Sequence, residues 1–416
     1  MVDSIENKQE IIDKIIELNV KYSNSLDEKQ DNKILQKIKA LSKKADLYDI
    51  DEILKTVAQY YMIIGIRSNG KTYGVLDLGI KNYCQHNEQM AIIRRWDTDF
   101  TGKRGKEMFS NLINNKVILK WSKGKWNTVI YRASQWFLAK KENDEVVIDD
   151  TPFCHGFALN VNEHDKSTSF PKVTTILFDE FLSRKGYLND EFIEFMNTVS
   201  TIIRHRTNVK VFMCGNTVNK YSPYFNEMGL YNIKTQKEGT IDIYKYGESG
   251  LTVAVEYCAL PKEKVKKEKT ITGSEIYFAF NNPKLQMITT GAWEIDIYPH
   301  LLQKYKSKEV IAKYYIEFDK DILECEVVKQ NLNIFTFIHR KTSPLKELST
   351  DLIYTQRFSD KPNITRRINK PRTNYERKIW WLFTNEKVFY QDNEVGEIVR
   401  NYIKWCSEED IIWKQI

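Results

Sequence analysis

The chain has 416 residues, of which 42% are hydrophobic and 29% charged. That composition excludes a wholly disordered or fibrous protein, and at about 150 residues per domain the length suggests two or three domains. The 63 Lys and Arg against 56 Asp and Glu leave a net charge of +7, a mild excess that permits a polyanionic partner without demanding one.

Residues 1–50 carry two helical stripes, Ile11, Ile12, Ile15, Ile16 and Leu18, then Leu35, Ile38 and Leu41, with Asn32 as a cap between them. They read as a helical flank. Tyr60 to Ile64 is a short buried-strand run that breaks at Gly65, and a helix follows from Lys71 toward Tyr83. Met90 to Ile93 is a second strand, and 101–115 reads as one helix. Trp126 to Tyr131 and Ser134 to Ala139 alternate as an inserted β-hairpin. Val173 to Phe178 and Val209 to Met213 are further buried strands. Between them 190–205 is a helix with Phe192, Phe195, Met196, Val199 and Ile202 inward. Two more strands lie near Ile241–Tyr244 and Leu251–Tyr257. This alternation predicts an α/β domain over 51–260 with a mainly parallel sheet and flanking helices. Residues 261–305 read as a linker region that opens on a lysine-rich run. Residues 306–416 read as a smaller α+β domain, with strands at Lys313–Phe318, Glu324–Val328 and Ile334–His339. The aromatics Trp380, Trp381, Phe383, Phe389, Tyr390 and Trp405 are expected in its core.

Cys84, Cys154, Cys214, Cys258, Cys325 and Cys406 form no CxxC pair, which fits a reducing compartment rather than a zinc or dithiol site. The adjacent Cys154 and His155 lack a second ligand pair and read as structural. No apolar run nears the ~20 residues needed to span a bilayer. Asp3 and Glu6 spoil a signal-peptide pattern, so a soluble, cytoplasmic protein without a membrane partner is expected.

The decisive motif is Gly65-Ile66-Arg67-Ser68-Asn69-Gly70-Lys71-Thr72, which fits G-x-x-x-x-G-K-[ST] after an apolar strand and before a helix. Glycines allow close approach of the backbone, successive N–H groups cradle phosphate, and the helix adds its positive end. Lys71 would reach the β- and γ-phosphates of ATP, and Thr72 would hold Mg²⁺. Asp179 follows the apolar run Ile176-Leu177-Phe178, so it emerges at a strand end where it can hold the same ion. Glu180 suits the general base for the attacking water. At the next strand end Asn216 would sense the γ-phosphate, with Thr217 in reserve. Arg206, or Arg204, closes the intervening helix and is the candidate arginine finger for a neighbouring subunit.

In these residues the chain resembles the DNA encapsidation (genome-packaging) ATPases of small tailed podophages. The likeness rests on the phosphate loop, Ile92-Ile93-Arg94-Arg95, Phe178-Asp179-Glu180-Phe181-Leu182, the Arg206 helix end and Gly215-Asn216, and continues weakly in Tyr277 to Asn282. It implies a P-loop ATPase of the class with a catalytic glutamate and an extra central strand. It also implies a homo-oligomeric ring at the portal vertex of a preformed capsid, in the host cytoplasm, that drives double-stranded DNA inward, with a structural RNA as a further possible component. Lys166 is the positional match to a lysine acting at the subunit boundary. The C-terminal domain would be an RNase H-like fold that has lost its metal-binding carboxylates and grips nucleic acid. Residues 361–378, with seven Lys/Arg and one acid, are the candidate grip. Glu317, Asp319 and Asp321 lie near one strand end and are the candidate carboxylates for a live two-metal nuclease. The alternatives are another ring translocase or helicase, and a terminase-like enzyme with an active nuclease.

Overall fold

The computed structural model describes residues 8–66, 69–161, 169–183, 187–188, 190–217, 222–259, 298–301, 304–319, 321–331, 333–341, 343, 345 and 351–414. Arg67, Ser68, Lys166, most of the 261–305 region and the 277–282 segment lie outside them. The chain divides into two compact units, Met1–Trp293 and Glu294–Ile416.

The first unit opens with the helices α1 (Lys8–Ser23), α2 (Glu28–Lys44) and α3 (Ile50–Leu54). α2 begins before the expected Asn32 cap. Asp27 caps it instead, its side chain accepting from the Lys29 N–H at 3.0 Å, because an acid one residue ahead of the helix satisfies an orphan donor. A ten-stranded sheet follows, made of β1 (Tyr60–Gly65), β2 (Gln89–Arg94), β3 (Thr128–Arg132), β4 (Gln135–Glu142), β5 (Glu145–Ile148), β6 (Cys154–Ala158), β7 (Val173–Asp179), β8 (Lys210–Asn216), β9 (Thr240–Tyr246) and β10 (Leu251–Tyr257). Along the sheet the order is β3-β4-β6-β2-β7-β8-β1-β10-β9, with β5 paired to β4. The central strands from β6 to β10 pair in parallel, and the antiparallel pairs lie toward the edges. Every residue of β1 and β7 is buried, which is why neither shows an alternation of apolar and exposed polar positions.

Helix α4 (Lys71–His86) follows β1. The single helix expected over 101–115 is instead two short ones, α5 (Gly102–Glu107) and α6 (Ser110–Asn114), followed by α7 (Val117–Trp121). The break falls at Phe109, which is fully buried and packs on Trp136 and Phe153, so tertiary packing overrides continuation of the helix. Helix α8 (Glu191–Ile203) buries Phe195, Val199 and Ile202 but leaves Phe192 and Met196 only partly covered. The short α9 (Pro223–Glu227) completes the described α-helices of this unit.

In the second unit a six-stranded sheet runs in the order β15-β14-β11-β12-β13-β16. Its strands are β11 (Val310–Phe318), β12 (Asp321–Gln330), β13 (Asn333–Arg340), β14 (Leu352–Thr355), β15 (Ile364–Thr365) and β16 (Val388–Tyr390). β11, β12 and β13 form an antiparallel meander, while β14 joins β11 in parallel, β15 joins β14 in parallel and β16 joins β13 in parallel. The helices are α10 (Asn374–Thr384) and α11 (Asn393–Lys414). Of the six aromatics expected in this core, only Tyr390 is buried, and Trp381 is exposed. The inward face of α10 is carried by Ile379 and Leu382 instead. Among the described residues no helix is long and apolar enough to cross a membrane.

Candidate functional site

The site is a consequence of strand order. β8 lies between β1 and β7, and β2 lies on the far side of β7. All four run in parallel, so their carboxyl ends form one edge, with Gly65 opposite Asn216 and Asp179 opposite Cys214. Four segments remote in sequence thereby present Arg94, Asp179, Asn216 and the phosphate loop side by side, at the edge where open α/β sheets bind ligands.

The phosphate loop enters α4 through Gly70, whose φ of +94° suits glycine and strains other residues. Lys71 is only 5% exposed, and burial pushes its pKa down. Its Nζ donates to the Ile66 carbonyl at 2.6 Å and to Asn69 Oδ1 at 3.0 Å, and it lies 3.5 Å from Asn216 Oδ1. The Thr72 hydroxyl donates to Asp179 Oδ1 at 2.6 Å. A hydroxyl and a carboxylate at hydrogen-bond distance are hard oxygen donors of the kind Mg²⁺ takes from a protein, so the pair fits that ion. Burial raises the Asp179 pKa, opposed by Arg94 and by the Thr72 hydrogen bond.

Arg94 is the main residue that sequence reasoning left without a role. It ends β2, pairs through NH2 with Asp179 Oδ2, and through NH1 with Glu180 Oε2 at 2.9 Å. One guanidinium therefore spans both acids. Glu180 has a largely exposed side chain and a φ of +60°, a left-handed conformation uncommon for a residue with a Cβ. The only sequence signal was the pair of arginines at a strand end, and its meaning depends on β2 lying beside β7.

Arg206 is held within its own unit. Its guanidinium donates to the carbonyls of Phe170, Pro171, Val173, Ile202 and Ile203 and ties the end of α8 to the segment entering β7. Arg204 is exposed, with a φ of +50° at the helix end. His155 is buried in β6, where desolvation lowers its pKa to about 4.

In the second unit the three acids considered for a nuclease do not converge as a ligand group. Glu317 pairs with Arg357, Asp321 pairs with Arg340 at 2.6 Å, and Asp319 sits in a turn with φ of +49°. The one metal-capable trio found among the described residues is Glu324, Glu326 and His339. There the Lys313 ammonium stands 2.6 Å from Glu324 and 2.8 Å from Glu326, filling the space with its own charge. In the basic 361–378 stretch the single acid, Glu376, is 3% exposed. It lies in the first turn of α10, behind the Thr373 cap, and accepts from the Arg372 N–H at 2.9 Å and from the Thr373 hydroxyl at 3.2 Å. The surface of the stretch is left to cations, with Lys361, Lys370, Arg372, Arg377 and Lys378 exposed.

A G-x-x-x-x-G-K-T loop after β1, an acidic strand end on β7 and an intervening β8 define a P-loop fold of the class with an additional central strand. Residues 42–400 match the model of the Podovirus DNA encapsidation protein (Gp16) family, and the chain belongs to that family. It is 28% identical over 178 residues to the DNA packaging protein of Bacillus phage B103, covering 40% of this chain and 47% of that protein. It is 25% identical over 166 residues to the DNA packaging protein of Bacillus phage phi29, covering 39% and 44%. The chain thus spans less than half the length of these relatives. Among solved structures it is similar to the bacteriophage phi29 viral genome packaging motor assembly, with a TM-score of 0.48 and 17% identity over 86% of this chain and 97% of that one. It is also similar to the N-terminal domain of the DNA packaging ATPase from phi29, with a TM-score of 0.41 and 20% identity over 52% and 96%.

Proposed function

We propose that this protein is the motor ATPase that packages double-stranded viral DNA into a preformed capsid. The observation that carries the reading is the convergence of Lys71, Thr72, Asp179, Glu180 and Asn216 on the carboxyl edge of β1, β7 and β8. Family membership supports the polymer it acts on, since the matched relatives are DNA packaging proteins.

Bound MgATP supplies the phosphoryl group that is transferred to water. Gly65, Arg67, Ser68, Asn69 and Gly70 form the loop that receives the phosphates, and Lys71 turns its Nζ from the Ile66 carbonyl to them. Thr72 and Asp179 would hold Mg²⁺. Glu180, at the exposed end of the strand, orients the attacking water and takes its proton. Asn216, 3.5 Å from Lys71 Nζ, reports on the same phosphate. Positioning and charge stabilisation account for most of such catalysis.

Subunits assemble in a ring at the portal vertex, with a structural RNA as an optional partner. Arg206 or Arg204, and Lys166, act at the subunit boundary. The second unit grips the DNA backbone through the cationic surface of 361–378. Charge without base contacts suits a translocase that must accept any sequence. The paired acids around Glu317 and Asp321 favour a gripping over a cutting role.

The test is ATP hydrolysis against protein concentration, with and without linear double-stranded DNA, with Glu180→Gln as control. Turnover that rises cooperatively, increases with DNA and disappears in the variant is expected. No DNA effect at any concentration, with portal added, overturns the translocase reading. Metal-dependent cutting of plasmid would restore the terminase-like alternative.

A further inference from the structure

Arg95, next to Arg94, is buried and turned to a different task. Its Nε donates to Glu191 Oε2 at 2.7 Å and its NH2 to Glu191 Oε1 at 2.8 Å, a bidentate pair with Arg95 8% and Glu191 0% exposed at the side chain. The same guanidinium donates to the Phe181 carbonyl at 2.9 Å and to the Glu180 carbonyl at 3.3 Å. Glu191 in turn accepts from the Tyr224 hydroxyl and from the Leu188 N–H, both at 2.7 Å. Four donors therefore saturate its carboxylate, which is what a buried charge requires. The Tyr187 ring lies 5.2 Å from the guanidinium carbon.

What this network holds is the backbone around Glu180. A residue with a Cβ at φ of +60° persists only where its surroundings over-determine it. Here the restraint is visible: the fork of Arg95 fixes two successive carbonyls, while the Phe181 N–H donates to the Cys214 carbonyl at 3.3 Å. The Phe181 ring lies against Gly215, where an added Cβ would stand 2.8 Å from it, so the same loop is seated against the residue before Asn216.

We infer that Arg95, with Glu191 and Tyr224, is a positioning unit that sets the strained backbone of Glu180 and so aims its carboxylate at the attacking water. The inference rests on the reading of Glu180 as the general base. Lysine cannot replace Arg95, because a point charge cannot span a carboxylate and two carbonyls at once.

The experiment compares Arg95→Lys, Glu191→Gln and Tyr224→Phe in the full chain, each alone and with Glu180→Gln. Single-turnover hydrolysis, ATP affinity, melting temperature and amide hydrogen exchange of residues 180–183 without nucleotide are measured. Arg95→Lys is expected to lower the hydrolysis rate about tenfold or more while ATP affinity changes less than about threefold. In the Glu180→Gln background it should produce no further loss of rate, although its melting-temperature decrement persists, because both changes remove one function. Exchange at 180–183 should accelerate about tenfold in the nucleotide-free protein. Tyr224→Phe, which removes one hydroxyl, should show the same pattern more weakly and serves if Arg95→Lys does not fold. Equal rate losses in both backgrounds, or a lower melting temperature with unchanged rate and unchanged local exchange, overturn the inference. If Glu180→Gln itself keeps full activity, the general-base reading fails. The exchange measurement then decides separately whether Arg95 holds the loop.

Discussion

The Tyr48 hydroxyl donates a 2.7 Å hydrogen bond to Glu256 Oε2 and joins the segment ahead of β1 to β10 across the phosphate-loop strand. The Tyr48 N–H also donates to the Asn69 carbonyl at 3.2 Å, so one residue braces the loop by backbone and by side chain. Burial pushes the Glu256 pKa above 4.5, and the Tyr48 bond partly opposes that rise. Tyr48→Phe leaves the carboxylate buried without this donor, at a cost of about 1–3 kcal/mol when it is ionised. A raised carboxyl pKa means stability that is complete below about 4.5 and is lost as pH rises through the folded-state value. The gap between wild type and variant should therefore be small at pH 4 and wide at pH 8, read by denaturant melts. A gap independent of pH would separate Tyr48 from the Glu256 charge.

Arg94 neutralises two acids at once, and the two are not equal. Asp179 has a side chain 7% exposed, so removing its cation should cost about 3 kcal/mol. Glu180, 66% exposed, adds little. Arg94→Gln should accordingly lower the melting temperature of the nucleotide-free protein. The deficit should shrink with Mg²⁺ and ATP together, since a divalent ion supplies the charge that Asp179 has lost. An equal deficit in both conditions would mean that Asp179 does not meet the metal.

The parts of this site legible in the sequence are those whose meaning is local. Gly65 to Thr72 carry their own chemistry, and Asp179 announces itself by ending an apolar run. Arg94 and Arg95 were visible as a pair but mute, because their partners lie about a hundred residues downstream and adjacency of β2 to β7 is a tertiary fact. Tyr48 gave no signal at all, since its partner is on β10. β6 was missed for another reason: Cys154 to Ala158 holds a histidine and a glycine and shows no alternation, and it is a strand because β2 and β4 flank it. Likewise Phe109 breaks a helix that its neighbours would continue, in order to fill the space beside Trp136. Local pattern placed β1, β2, β7 and β8, while packing made β6 a strand and decided where α5 stops.

His155 supplies an acid-sensitive element away from the nucleotide site. It is 9% exposed, its Nε2 has no hydrogen-bond partner among the described residues, and desolvation lowers its pKa from 6.5 to about 4. The folded state keeps the ring neutral where the unfolded chain protonates it. Stability is thus intact above 6.5 and falls as pH drops toward 4, by on the order of 3 kcal/mol in all. His155→Asn removes the titration. Relative to wild type it should gain stability steadily between pH 6.5 and 4 in denaturant melts, and a constant difference would show that the ring is protonated or solvated in the fold.

Arg206 makes a prediction in which stability and activity part company. Its guanidinium closes α8 onto the carbonyls of Phe170, Pro171 and Val173, so it acts as a strut in the described conformation. Arg206→Ala should leave those carbonyls without a charged donor and cost roughly 2 kcal/mol. In a unit of this size that corresponds to a drop of roughly 4–8 °C in the melting temperature of the monomeric, nucleotide-free protein. A finger delivered to a neighbouring subunit would instead be released from these bonds whenever the ring is assembled. A wild-type melting temperature combined with collapsed turnover at ring-forming concentrations would show that delivery outward is its main task. A melting-temperature loss whose size matches the fall in activity would make Arg206 a strut, and would move the search for the finger to Arg204.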